Sequence, residues 1–484
     1  MEERIRQLQH EASPLECAPE QRRKWTEAVT SYAGDWLDRL PERKAFEEEG
    51  DGTGLLELPI TEQGTGMDRL LELIDREVNR PGLNPASGGH MGYIPGGGLY
   101  ASALGDFLAA VTNRYAGVFF SSPGAVRMEN QCLRWLCDLI GYPEGAGGNL
   151  TSGGSVANLI ALVAARDHAG LQAGDFPRAV IYTTRQVHHC ALKAIRFAGL
   201  GECTVREVPM DARFRMRPDA LRRQVADDRD EGLRPLMIFA SAGTTDLGAV
   251  DPLEALAGVA DDQGLWFHVD AAYGGAFLLT DYGREAMRGI ASADSVIIDP
   301  HKGLFLPYGS GALLVRDSRT LYESQHMSAS YMRDTLKKTD ELSPADLSPE
   351  LSRHFRGLRL WLPLQLLGTA PFRAALEEKL LLARWFHREI GGWQEMETGP
   401  EPQLSVSLFR WTPEGLDPDE ANRRLVDRLH ADGRVFLSST RMEGSVWLRM
   451  AVLHYRTHHD TLRRTLEILQ ETTRALKEEM VAEL

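Results

Sequence analysis

The chain is poor in cysteine, in positive charge and in long apolar runs, and each shortage removes a class of protein. Its five cysteines (Cys17, Cys132, Cys137, Cys190 and Cys203) among 484 residues show neither zinc-type pairing nor the density of a disulfide scaffold. A reducing, cytoplasmic setting is therefore expected. Lys and Arg number 54 against 69 Asp and Glu, a formal charge of −15. A polyanion needs clustered positive charge, so nucleic acid is not expected as a partner. No stretch approaches the ~20 apolar residues that span a bilayer. The opening "MEERIRQLQHEASPLE" has no apolar centre of the signal-peptide kind, so no membrane role is expected. What remains is ordinary globular material, 43% hydrophobic and 25% charged, long enough for a large core and more than one domain.

Trp25, Val29, Tyr32, Trp36 and Leu40 recur at helical spacing, which predicts a helix over residues 20–40. A stripe this large and aromatic suits a partner subunit as well as a core. "EEEGDGTG" then reads as a linker, and "GGHMGYIPGGG" (residues 88–98) is too rich in glycine and proline for regular structure. From about residue 150 to 316 short apolar runs alternate with helical patterns. "AVIYTT", "PLMIFASAG", "LWFHVDAA" and "DSVIIDPH" predict strands, and "SVANLIALVAAR" predicts a helix with Val156, Leu159, Ile160 and Val163 on one face. This alternation predicts an α/β fold, a mainly parallel sheet covered on both faces. Ligands of such sheets sit beyond the carboxyl ends of the strands. After residue 368 a smaller α+β unit ends in an amphipathic helix near residues 460–480. The expected division is a helical segment, residues 1–95, packing on a partner subunit, a large domain, 96–368, and a small domain, 369–484.

The chemistry-bearing residues cluster at the predicted strand ends. "TSGGSVAN" puts Gly153, Gly154 and Ser155 at a helix entry, whose free N–H groups and dipole suit an anion such as phosphate. "FHVDAAYGG" ends a strand at Asp270, followed by Ala271 and Ala272. "RQVHHCALKA" supplies His188 and His189, and "SAGTTDLGAVD" supplies Thr244 and Thr245. "DSVIIDPHKGLFLPYGSG" brings Asp299, His301 and Lys302 to one strand tip. Taken singly these are a plain turn, a helix cap, surface histidines, turn hydroxyls and a solvated lysine. Taken together they meet the needs of pyridoxal 5′-phosphate (PLP). Its aldehyde needs a lysine amine, its pyridine nitrogen a carboxylate, and its phosphate a helix N-terminus. Its ring needs a small apolar contact on one face and a planar group on the other. Lys302, Asp270, Gly154 with Ser155, Ala272 and His188 match these needs. A free lysine with pKa near ~10.4 is protonated, so a desolvated pocket is expected to favour its neutral form. A metal site built from His268, Asp270 and nearby histidines competes with this assignment, although no further ligand set is evident.

The ordered set "TSGGSVANL", "VHHCALKA", "SAGTTDLGAVDPL", "HVDAAYGG" and "DPHKG" resembles the group II pyridoxal-phosphate decarboxylases, which include the aromatic amino acid, histidine and glutamate decarboxylases. The resemblance runs from "RRKWTEAV" through "SSPGAVRME" to "RHFRGLRLWLPLQLLG", about residues 20–370. It implies the type I, aspartate aminotransferase-like fold, with a mainly parallel seven-stranded-type sheet in the large domain. It implies PLP held on Lys302 as the internal aldimine, Asp270 at the pyridine nitrogen and His188 stacked on the ring near the scissile bond. Thr245 and Ala272 would contact the ring, while Gly153, Gly154 and Ser155, with Asp299 or His301, would serve the phosphate. It further implies a homodimer with the active site at the interface. Tyr93, Ile94 and Tyr331, with Arg114 and Tyr115 from the other subunit, would surround the amino acid substrate.

The implied reaction is decarboxylation of an L-amino acid, aromatic or hydrophobic, through the Lys302 aldimine and a quinonoid. One departure qualifies it. The family protonates the quinonoid with a loop tyrosine, whereas "KKTDELSPADLSPELSRHFRGL" contains none and has Ser343 or Pro344 at the corresponding place. A longer-lived quinonoid is open to oxygen, so the alternative is decarboxylation-dependent oxidative deamination to an aldehyde. A different PLP lyase or transferase reaction is a further alternative, because "PYGSGALLV" departs from the family pattern. A non-catalytic interaction protein is the remaining one, and retention of Lys302, Asp270 and His188 argues against it. Gly303, where the family has tryptophan, is read as removing bulk beside the cofactor.

Overall fold

The computed structural model of the chain describes residues 1–327 and 341–483. These form two compact units, Met1–His90 with Asp427–Phe436, and Met91–Val426 with Leu437–Leu484. The first unit carries α1 (Glu2–Ala12) and α2 (Pro19–Asp38). α1 has no buried residue, which is why no apolar stripe announced it. α2 matches the predicted helix and starts with proline in its first turn, where a missing N–H costs nothing. Its stripe is not a core face. Trp25 and Val29 are exposed, while Tyr32 donates to the Asp75 carboxylate at 3.1 Å.

In the second unit, α3 (Tyr100–Thr112) and α4 (Pro123–Ile140) precede the main sheet. Its strands are β1 (Gly147–Thr151), β2 (Ala179–Thr183), β3 (Thr204–Glu207), β4 (Arg234–Ser241), β5 (Trp266–Asp270), β6 (Ser295–Ile298) and β7 (Gly311–Val315). The spatial order is β1-β7-β6-β5-β4-β2-β3, with β7 antiparallel to both neighbours and every other pairing parallel. The expected mainly parallel seven-stranded sheet is therefore present. Alternate residues feed two cores: Val180, Ile238, Val269 and Val296 on one side, Ile181, Met237, Phe239 and Ile297 on the other. That is why these strands read as continuous apolar runs.

α5 (Gly154–His168) follows β1 directly. The predicted stripe holds in part. Ile160 is buried as expected, together with Ala157, Asn158, Ala161, Leu162 and Ala165, whereas Val156, Leu159 and Val163 are only partly so. Small side chains let the helix lie close to the sheet, and the bulkier ones flank the contact. Beyond residue 368 four antiparallel strands, β8 (Met396–Thr398), β9 (Val406–Trp411), β10 (Ser438–Met442) and β11 (Ser445–Ala451), run in the order β8-β9-β11-β10. Phe386, on the helix Ala370–Gly391, packs edge-on against Phe409 of this sheet. The predicted terminal helix spans His459–Ala482. Among the described residues no helix is long and apolar enough to cross a membrane.

Candidate active site

A cavity of about 660 Å³ opens at the carboxyl ends of β1, β2, β4, β5 and β6, where an α/β sheet exposes its loops. Every residue assigned to the cofactor from the sequence lines it: Gly153, Gly154, Ser155, His188, Thr245, Asp270, Ala272, Asp299, His301 and Lys302. Tyr93 and Ile94 line it as well. Arg114 and Tyr115 do not line the cavity of their own chain, and Arg114 donates to the Ser122 hydroxyl at 3.3 Å. Tyr331 lies outside the described residues.

β6 is wholly buried and ends at Ile298, and the short helix Pro300–Gly303 then turns Lys302 back towards the sheet. Lys302 Nζ lies 3.2 Å from Asp299 Oδ2, with the lysine side chain 24% exposed and that of Asp299 only 3%. The neutral lysine expected from burial is not what forms. Burial does disfavour the ammonium, but the nearby Asp299 and Asp270 carboxylates outweigh it and raise the Lys302 pKa. Asp299 Oδ1 has no hydrogen-bond partner among the described residues. His301 Nδ1–H donates to the Ser310 carbonyl at 2.5 Å, and burial lowers its pKa.

Gly303 also requires a correction, because it is buried and does not line the cavity. A Cβ there would collide with the Ala276 methyl. Its small size serves helix packing beneath the site. Gly96 presents a second close approach: a Cβ would run into the His301 carbonyl, so the segment "GYIPGGG" lies directly on the lysine turn.

At the other wall, Asp270 Oδ1 accepts from the Ala272 N–H at 3.1 Å and Oδ2 accepts from Asn158 Nδ2 at 3.3 Å. His188 Nδ1 accepts the Cys190 N–H at 3.3 Å, so a neutral ring keeps its proton on Nε2. Burial, with His189 beside it, lowers the His188 pKa. His268, the competing metal ligand, is already committed to other partners. Both ring nitrogens of His268 are engaged, by Ser295 Oγ at 2.8 Å and Asn158 Oδ1 at 2.9 Å, and no metal-holding group occurs among the described residues. Gly153 (φ 155°) and Gly154 form the turn into α5, where a Cβ on Gly154 would sit 3.1 Å from Asp299 Oδ2. Arg353 and Arg356 brace this turn from behind by donating to the Leu150 carbonyl at 2.6 and 3.2 Å.

Sequence reasoning missed several residues here. Asn158 stood inside the quoted "TSGGSVAN" without a role; a buried amide on the sheet side of an otherwise apolar helix is the signal that marks it. Tyr273 lines the cavity, but its hydroxyl is tied to Ser405 Oγ at 2.6 Å. Tyr308 lines it as well. Arg449, from β11, donates to the carbonyls of Thr245 and Tyr93 at 2.7 and 2.6 Å. No local pattern points to it.

A glycine cradle at a helix N-terminus, an amine, and a carboxylate with unused lone pairs thus share one cavity. The unpartnered Asp299 oxygen and the space kept clear by Gly153 and Gly154 fit PLP. Fold and cavity together define a PLP-dependent enzyme of the type I fold. The pyridoxal-dependent decarboxylase conserved domain matches residues 61–412, and the chain belongs to that family of carboxy-lyases. It is 33% identical over 426 residues, 87% of this chain and 88% of the relative, to an aromatic-L-amino-acid decarboxylase of Bacillus atrophaeus. It is 29% identical over 393 residues, 78% and 80% of the two chains, to phenylacetaldehyde synthase of Arabidopsis thaliana. The crystal structure of Oryza sativa TDC with PLP and tryptamine matches with a TM-score of 0.89 at 26% identity, over 95% of this chain and 99% of that one.

Proposed function

We propose that the chain decarboxylates an uncharged aromatic or other hydrophobic L-amino acid. The observation that carries this reading is the convergence of Lys302, Asp299, Asp270 and His188 on one cavity whose only Lys or Arg side chain, among the described residues, is Lys302. An acidic substrate side chain would find no cationic partner on the walls that one chain supplies; Arg114 of a second copy is the one cation the dimer would add. When bound, PLP supplies an electron-withdrawing ring that weakens the bond from the substrate's α-carbon to its carboxylate. Lys302 Nζ would carry the cofactor between turnovers, with Asp299 taking the proton that a nucleophilic amine must lose. Asp270 would keep a proton at the ring nitrogen. Gly153, Gly154, Ser155 and His301 would hold the phosphate, and Thr245, Ala272 and the His188 ring would flank the heterocycle. The Nε2–H of His188 would supply the proton that replaces the lost carboxylate.

A homodimer is part of the reading. α3 exposes Tyr100, Leu104, Phe107, Leu108 and Val111 along one stripe, a face that suits a second copy. Residues 1–95, with Trp25 and Val29 exposed, would pack on that copy, and Arg114 and Tyr115 would reach its site. The five unpaired cysteines suit a cytoplasmic location.

A second reading is favoured by one observation. Ser343 and Pro344, where the loop tyrosine is expected, are held elsewhere. Ser343 Oγ accepts the Phe119 N–H at 3.0 Å, Pro344 is buried, and neither lines the cavity. Slow protonation would leave time for oxygen, giving aldehyde, carbon dioxide, ammonia and hydrogen peroxide from amino acid, oxygen and water. Incubation with an amino acid panel under air and under nitrogen, with mass analysis of products, separates the two. Amine and carbon dioxide in both atmospheres support decarboxylation; aldehyde and peroxide under air alone overturn it in favour of the oxidative reaction.

A further inference from the structure

We propose that Asn158 and His268 are positioning residues, which with Ser295 and Trp266 form a one-way hydrogen-bond chain that aims the Asp270 carboxylate at the cofactor's ring nitrogen. The inference rests on the reading of Asp270 given above.

The ends of the chain fix its direction. Trp266 can only donate, and its Nε1–H reaches Ser295 Oγ at 2.8 Å. An ionised carboxylate can only accept, and Asp270 Oδ2 faces Asn158 Nδ2 at 3.3 Å. With its amide nitrogen turned to Asp270, Asn158 presents Oδ1 to His268 Nε2 at 2.9 Å, so that nitrogen must carry the proton. His268 Nδ1 is then the acceptor, and the Ser295 hydroxyl, 2.8 Å away, donates to it. The Ser295 oxygen is left to receive the indole proton. With the imidazole neutral, no other assignment of hydrogens satisfies all four links.

The chain has the features of a device rather than of incidental pairing. Asn158, His268 and Ser295 are completely buried, and each comes from a different element: α5, β5 and β6. The second Asn158 amide hydrogen faces Cys190 Sγ at 3.5 Å, so the amide has no freedom to turn. Phe239, with its ring centroid 4.5 Å from that of His268, packs against the imidazole. Burial lowers the His268 pKa to about 4, which keeps Nδ1 available to accept from Ser295. In a buried chain each link polarises the next, so the N–H delivered to Asp270 is a strengthened donor. With the Ala272 N–H on the other oxygen, the carboxylate is gripped at both atoms, and its remaining lone pairs face the cavity it lines.

The test uses the full-length chain freed of cofactor. It is titrated calorimetrically with PLP and with the deaza analogue in which the ring nitrogen is replaced by C–H. The ratio of the two dissociation constants reports the nitrogen contact alone. In the wild type PLP binds more tightly. In Asn158→Ala and His268→Leu the ratio is expected to shrink about tenfold, the size of effect produced by losing an outer hydrogen bond to a liganding group. His268→Gln, whose amide N–H can replace Nε2–H, is expected to keep most of it. Should His268→Leu not fold, Asn158→Ala and Ser295→Ala carry the same comparison. A merely structural role would weaken both ligands equally, so an unchanged ratio in variants that melt like wild type overturns the chain while leaving the Asp270 reading intact. A wild type that does not distinguish the ligands overturns both.

Discussion

Replacing Asp299 with asparagine tests how the charge of Lys302 is set. The two groups lie 3.2 Å apart, and the carboxylate is almost fully buried. Asparagine keeps the shape and removes the charge. Two unit charges at this distance attract by about 5 kcal/mol at an effective dielectric near ~20. The lysine is partly open to solvent, and screening roughly halves that figure. A remainder of about 2.5 kcal/mol is the attraction that the substitution removes. Burial already opposes the ammonium, and without Asp299 it is supported chiefly by Asp270, with a smaller contribution from Cys190, so the expected shift is downward. The assay is a pH series of acylation by a lysine-directed reagent on the cofactor-free chain. The peptide containing Lys302 is quantified by mass spectrometry, and exposed lysines serve as internal references. Asp299→Asn should become reactive at a distinctly lower pH than wild type. A midpoint that stays put or moves up refutes the reasoning, because the carboxylate would then not be what holds the proton on the amine.

Three further outcomes are expected. Lys302→Ala should leave no covalently held cofactor after borohydride reduction, and peptide mapping of the wild type should find the tag on residue 302 alone. Gly303→Ala should cost about 1–3 kcal/mol in denaturant unfolding, the usual size of core overpacking, because its Cβ meets the Ala276 methyl; an unchanged midpoint would remove the packing explanation for this glycine. Stability should fall with acid between pH 6.5 and about 4, since the unfolded chain protonates His268 from 6.5 downward while the folded chain resists until about 4. That residue's share is at most roughly 3 kcal/mol, and His268→Gln should flatten the slope of urea stability against pH across this window.

Much of the fold could be read in advance because its signals are local. Residues 179–184, 235–243, 265–272 and 294–301 are mainly apolar runs, and each contains a strand of the main sheet. Parallel strands buried on both faces leave that record in sequence whatever packs above them. The cavity was legible for the same reason. A parallel sheet delivers the residue after each strand to one edge, so Gly153, His188, Thr245, Asp270 and Lys302 were bound to meet once the strands were assigned. α1 left no trace because nothing on it is buried, and the stripe on α5 held at Ile160 but not at Val156, Leu159 and Val163, where small neighbours take the sheet contact instead.

Sequence alone thus determined which side chains stand at the strand tips, since covalent order and alternating burial suffice for that. Tertiary structure decided what state those side chains are in. Lys302 is charged because two carboxylates outweigh its burial, a balance of distances that no motif encodes. Gly303 is small because of a methyl 27 positions away in the chain's order, Ala276. Asp270 is held through Asn158, 112 residues earlier, and through His268 on its own strand, since hydrogen bonds act across space and are indifferent to separation along the backbone.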